Sequence, residues 1–192
     1  MNPFSPYLNA VNRSDDEKLN ILTFTTHEGF QCSMAKTKDR YTHVPSPESK
    51  KWDFDYRLMP SNIIEVDSAS KAKDIDIIIS HTLQQRNAAE NLKKVFNVKH
   101  IALNHIFPNS NYSDFFIQEI KKDNGADVNV FTTKEQARLW GYESNESLVI
   151  PHGIDTEVYS GYNSLEMRIL TVANFYKERG SELGYNFYSE VK

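Results

Sequence analysis

The sequence predicts an α/β fold: a parallel sheet in a Rossmann-like three-layer domain. Three observations carry that expectation. From residue 19 onward, short apolar runs alternate with segments of helical period. The run IDIII at residues 75–79 is nearly unbroken, as expected of a strand with both faces buried. Hydrophobic residues make up 39% of the 192 and charged residues 25%, the balance of a globular chain long enough to bury a real core.

The elements follow in order. Residues 1–17 are polar, contain the acidic run Asp15-Asp16-Glu17 and read as a lead-in. Residues 19–25 (LNILTFT) form the first strand, THEG at 26–29 a loop, and FQCSMAKT the start of a helix. A second strand is expected at 40–44. Residues 45–60 hold three prolines and Trp52 and read as an irregular connection. A short strand follows at 63–66 and a strong one at 75–80. Residues 83–96 form a helix whose apolar positions Ala88, Ala89, Leu92, Val95 and Phe96 keep close to the helical period. A strand at 100–104 precedes a helix at 113–123, started by Ser113 and ended by Asn124-Gly125. After a strand at 128–131, Thr132 and Glu135 form a capping-box pattern, and Gly141 closes that helix. A short strand at 148–150 runs into PHGID. A strand at 168–172 and a helix at 181–191 finish the chain. The expected division is 18–160 for the main domain and 161–192 for the start of a second.

Composition excludes several classes. The net charge of −4 gives no footprint for nucleic acid. The single cysteine, Cys32, can form neither an internal disulfide nor a Cys-based zinc site, and no metal is expected. No stretch approaches the ~20 apolar residues of a membrane span, and no basic start leads into an apolar run. A cytoplasmic protein is the simplest expectation.

In parallel sheets the ligand crevice lies beyond the carboxyl ends of the strands. Four of the six histidines fall there: His27 just past the first strand, then His81, His105 and His152, each directly after a strand or its proline. Imidazole suits proton transfer and hydrogen bonding to sugar hydroxyls near neutral pH. Any one of them could equally cap a loop, and the clustering is what points to a site. Gly29 in the first loop allows close backbone approach to a ligand, or is a turn glycine. Arg179, between the last strand and helix, could neutralise a diphosphate, or lie in a solvated turn. Cys32, Trp52, Trp140, Phe115 and Phe116 read as packing or anchoring residues. Lys93-Lys94 and Lys121-Lys122 read as solvated helix faces.

Between about Leu19 and Gly180 the order of motifs resembles the N-terminal half of a GT-B glycosyltransferase of the retaining family-4 type. NILTFTTHEGFQ resembles that family's opening strand and glycine-bearing loop. IDIIISHT and HIALNHIFP resemble its fourth and fifth strands, each ending in histidine. LVIPHGIDTEVY is similar to its "IPNGID…F" hinge, with His152 in place of asparagine. RILTVANFYKERG resembles the first strand and loop of the donor domain, with Ala173-Asn174 where the family has Gly-Arg. The resemblance implies an acceptor-side lobe with only the start of the donor domain. A sugar would pass from a nucleotide-diphosphate sugar to a saccharide, lipid or protein acceptor, with retention and without an essential cofactor or metal. It places His105 beside the sugar being transferred, as the catalytic residue. Gly29, His27, His81 and His152 would line the substrate cleft, and Arg179 would meet the departing diphosphate. A donor-domain partner chain is implied as well. Two alternatives stay open: a non-catalytic binding module on the same fold, and an unrelated flavodoxin-like or phosphate-binding α/β domain.

Overall fold

Seven strands occur among the described residues, and all pair in parallel. The structure, a computed structural model, describes residues 17–45 and 51–153. The lead-in up to residue 16, the expected boundary at 160/161, the elements at 168–172 and 181–191, and Arg179 lie outside the described residues. Those up to His152 belong to one compact unit.

The strands are β1 (Asn20–Phe24), β2 (Arg40–Val44), β3 (Ile63–Glu65), β4 (Ile77–Ser80), β5 (Lys99–Asn104), β6 (Val128–Phe131) and β7 (Leu148–Val149). The helices are α1 (Glu28–Met34), α2 (Leu83–Phe96), α3 (Asp114–Lys122) and α4 (Lys134–Leu139). The spatial order is β3-β2-β1-β4-β5-β6-β7. The chain builds outward from β1 through β2 to β3, then crosses back and builds outward from β4 on the other side. The order reverses between β1 and β4, which pair Ile21 with Ile77 and Leu22 with Ile78. A flavodoxin-like order would run 2-1-3-4-5, so the flavodoxin-like form of that alternative is excluded.

The period-2 geometry of the strands divides the core in two. Leu22, Phe24, Val44 and Ile78 face one side and pack beneath α2 through Ala89, with Ala88, Leu92 and Phe96 around it. Ile21, Tyr41, Ile63 and Ile79 face the other, against Ala35, Met34 and Trp52. Helices therefore cover both faces of the sheet, giving the Rossmann-like three-layer arrangement. Trp140 anchors a third cluster with Phe131 and Ala137. Trp52 and Trp140 are core residues, whereas Phe115 is 76% exposed.

Strand ends shift by one or two residues, as where β4 starts at Ile77 rather than Ile75, and three helix ends differ from the expectation for local reasons. First, α1 begins at Glu28, not beyond Gly29, because His27 Nδ1 caps it by accepting from Phe30 N at 3.3 Å. Gly29 is thus a helical residue. A Cβ there would come within 3.1 Å of the His27 ring. Second, α4 is capped by Thr133 rather than Thr132: the Thr133 hydroxyl accepts from Gln136 N at 3.0 Å. Glu135 pairs with Arg138 instead of closing a capping box. Third, α3 ends at Asp123 without a left-handed residue, because the Asn124 amide is drawn to Asn129 and to the Tyr142 hydroxyl. Gly141 does end the α4 segment with φ +76°. Among the lysines, Lys93 meets Asp127 at 2.9 Å and Lys121 meets Glu146 at 2.6 Å, while Lys122 keeps a solvated pair with Glu119 at 3.8 Å.

Three buried glutamines fix the strand-to-helix turns. Gln31, Gln85 and Gln136 are each at most 1% exposed. Their Oε1 atoms accept from Thr26 N at 3.2 Å, His81 N at 2.9 Å and Thr132 N at 2.8 Å. Each ties the first residues after a strand to the helix that follows, so these turns are held rather than draped.

Asn104 closes β5. Its Nδ2 donates to Val130 O at 3.1 Å, and its Oδ1 accepts from the buried guanidinium of Arg86. Asn104→Ala should lower stability by about 2–3 kcal/mol, because it strips a buried cation of that bond. Urea unfolding at neutral pH measures this, and a loss under about 0.5 kcal/mol would mean that water replaces the amide.

Candidate functional site

The loops that leave the carboxyl ends of β1, β4, β5 and β7 meet over the β1/β4 switch point. They enclose a cavity of about 600 Å³. His27, His81, His105 and His152 all line it, so the structure brings the four sequence-selected histidines together. Gly29 is not on the wall. The rest of the wall is Thr25, Thr26, Phe30, residues 82–85, Asn104, Ile106, Tyr112 and Trp140. No lysine, arginine, aspartate or glutamate lines it among the described residues. No group of three or more His, Cys, Asp or Glu residues is placed to hold a metal, among the same residues.

The imidazoles form a graded array. His81 is 5% exposed, and its backbone is fixed by Gln85. Its Nε2 lies 2.9 Å from Thr23 Oγ1, and its Nδ1 lies 3.1 Å from His105 Nε2. The His81 and His105 rings are within 18° of parallel, and those of His105 and His152 within 5°, at 5.6 Å between centres. Phe30 presents its ring nearly perpendicular to three of them, closest to His105 at 4.5 Å. The His105 loop is held by its neighbour: Ile106 O accepts from Gln136 Nε2 and from Trp140 Nε1, both at 2.9 Å. His152 and His27 are exposed at the rim.

Burial sets the charge of the two inner imidazoles, His81 and His105. Removal from water penalises the imidazolium, so the His81 pKa falls to about 3, helped by the neighbouring His105 and His43. His105 falls to about 4 for the same reason, with His152 and His27 adding to it. Both are neutral at pH 7.

No protein-family model matches the chain, and no curated protein matches it. The site's chemistry therefore rests on its own residues.

Sequence reasoning passed over Phe30, Thr23, Gln85 and His43. Phe30 is legible in the sequence only as the start of a helix. His43 lies inside β2, 1% exposed, with its Nδ1 3.1 Å from Thr25 Oγ1. Among the described residues its Nε2 is the one buried side-chain nitrogen or oxygen without a partner. Burial lowers its pKa to about 4. His100 is also buried, between Ser80 at 2.8 Å and Glu90 at 3.1 Å, and belongs to the scaffold. Cys32 is half-buried, with its thiol pushed up by burial, as fits a packing residue.

Proposed function

We propose that this domain is the acceptor-side lobe of a retaining GT-B glycosyltransferase, passing a sugar from a nucleotide-diphosphate sugar to a saccharide, lipid or protein acceptor. One observation carries the reading: a cavity at the switch point of a Rossmann-like sheet, walled by uncharged hydrogen-bonding groups and four imidazoles on post-strand loops. Ligands of such sheets bind at this place. Neutral imidazole, threonine and amide groups above aromatic rings match the alternating hydroxyl and C–H faces of a sugar. His105 is the residue that meets the transferring group. His81, His27 and His152 shape the acceptor side, and Gly29 contributes only as the helical residue beneath the His27 ring.

The wall's lack of lysine and arginine, among the described residues, also bears on the donor. A diphosphate leaving group needs a cation or a cluster of N–H donors. With neither side chain on the wall, that part would come from a donor domain, with Arg179 as a candidate. The same observation favours a second reading, a non-catalytic saccharide-binding module.

The test is a transfer assay on the full chain with a panel of nucleotide-diphosphate sugars and acceptors, alone and with a donor-domain chain added. The histidine ring resonances are followed in parallel. Release of nucleoside diphosphate that depends on acceptor is the expected result. Saccharide-induced shifts at His105 without turnover would favour the binding module. Neither turnover nor shifts would overturn both readings.

A further inference from the structure

We infer that Thr23, which is not on the cavity wall, sets the cavity's hydrogen-bonding polarity by holding His105 with a bare Nδ1, so that the ligand group seated against it must be a hydrogen donor. On this inference the occupant at that place is a hydroxyl of a neutral polyol or sugar, not a phosphate or carboxylate oxygen. It rests on the sugar-transfer reading only for the name of the ligand class.

The argument counts protons. Thr23 is 1% exposed, and its hydroxyl has one hydrogen. That hydrogen goes to Ile79 O, 2.9 Å away; two oxygens could not sit so close with no proton between them. Thr23 Oγ1 is therefore an acceptor toward His81 Nε2 at 2.9 Å, and that nitrogen carries the proton. A neutral imidazole has only one N–H, so His81 Nδ1 is bare. The contact of 3.1 Å from His81 Nδ1 to His105 Nε2 then requires the proton on His105 Nε2. Neutral His105 is left with a bare Nδ1. No protein partner bonds it among the described residues, and it is not one of the buried unpartnered atoms. Because His105 lines the cavity, that nitrogen is left to meet the occupant. The chain of donors runs one way, from His105 to His81 to Thr23 to the backbone of β4, and ends in an acceptor facing the ligand.

An acceptor-only nitrogen discriminates by charge and by proton. A hydroxyl donates to it. A phosphate or carboxylate oxygen would set two lone pairs against each other in a half-buried site.

The experiment reads the ring nitrogens directly. Long-range proton–nitrogen correlation spectra of the full chain at neutral pH show which nitrogen of each histidine is protonated. The expected result is Nε2 protonation on both His81 and His105. Protonation of His105 on Nδ1 overturns the inference. In Thr23→Val, His81 Nε2 has no acceptor, and His105 should gain Nδ1 protonation. In Thr23→Ser the hydroxyl remains, and the native pattern should return. A Thr23→Val spectrum identical to the native one would show that Thr23 does not set the polarity. If Thr23→Val does not fold, the native and Thr23→Ser spectra still decide. Inorganic sulfate, fully deprotonated at neutral pH, serves as the acceptor-only probe: it should leave the His105 resonances of the native chain unmoved and shift them in Thr23→Val. A sulfate-induced shift in the native chain overturns the ligand class. Absence of sugar transfer with the expected protonation pattern would overturn the glycosyltransferase reading alone, and a reversed pattern would overturn this inference alone.

Discussion

Acidification from about pH 7.5 to about pH 4.5 should bring the protein close to unfolding. His81 and His43 carry most of this effect. Both are buried and neutral, with folded-state pKa values of about 3 and about 4 against an ordinary 6.5. The unfolded chain takes up a proton at each as the pH drops through 6.5, while the folded chain does not until far lower. Between those limits the unfolded state binds more protons, so stability falls as pH falls. Above about 6.5 neither state is protonated, and the effect vanishes. Each histidine lowers stability by roughly 1 kcal/mol per pH unit across the window. The two together amount to about 5 kcal/mol near pH 4.5, comparable with the whole stability of many domains. His105 and His43 face His81, and each proton added to the group makes the next harder to add. Urea unfolding across this pH range measures the slope. A flat profile from about pH 7 to pH 5 would contradict neutral burial. His43→Leu should reduce the slope by about one proton, which separates its share from that of His81.

The largest effect on function is expected at His105. His105→Ala removes the cavity-facing nitrogen and the donor to His81, and should reduce transfer or saccharide binding by roughly 10²-fold or more. The fold should survive. His105 is only partly buried, and it makes one side-chain hydrogen bond, whose loss leaves His81 Nδ1 open to water from the cavity. Circular dichroism and urea unfolding at pH 7 check the second statement, and the transfer assay checks the first. Loss of cooperative unfolding in His105→Ala would make the residue structural. Full activity with an intact fold would remove it from the site.

Much of the architecture is legible in the chain because its signals are local. Isoleucine-rich β4 is legible because both its faces are buried, which removes any need for polar alternation. The boundaries of α2 match the expectation because the side chain of Thr82 caps the start and Asn97, at φ 53°, ends it. The caps of α1 and α4 are displaced from expectation by side chains that respond to distant partners. His27 folds back over Gly29, and Gln136, drawn inward to Ile106 O, leaves Thr133 rather than Thr132 to take the helix N–H.

The sequence alone determined that strands alternate with helices, that the sheet is parallel and that four histidines sit at strand ends. Each is a matter of residue type and short spacing along one chain. Only the tertiary structure decided the strand order, the placement of all four imidazoles around one cavity and the direction of the hydrogen-bond chain through Thr23. Those depend on contacts such as Thr23 with His81 and His81 with His105, made between residues 58 and 24 positions apart. No periodicity encodes such contacts, because packing of the two sheet faces, not local propensity, brings the groups within bonding distance.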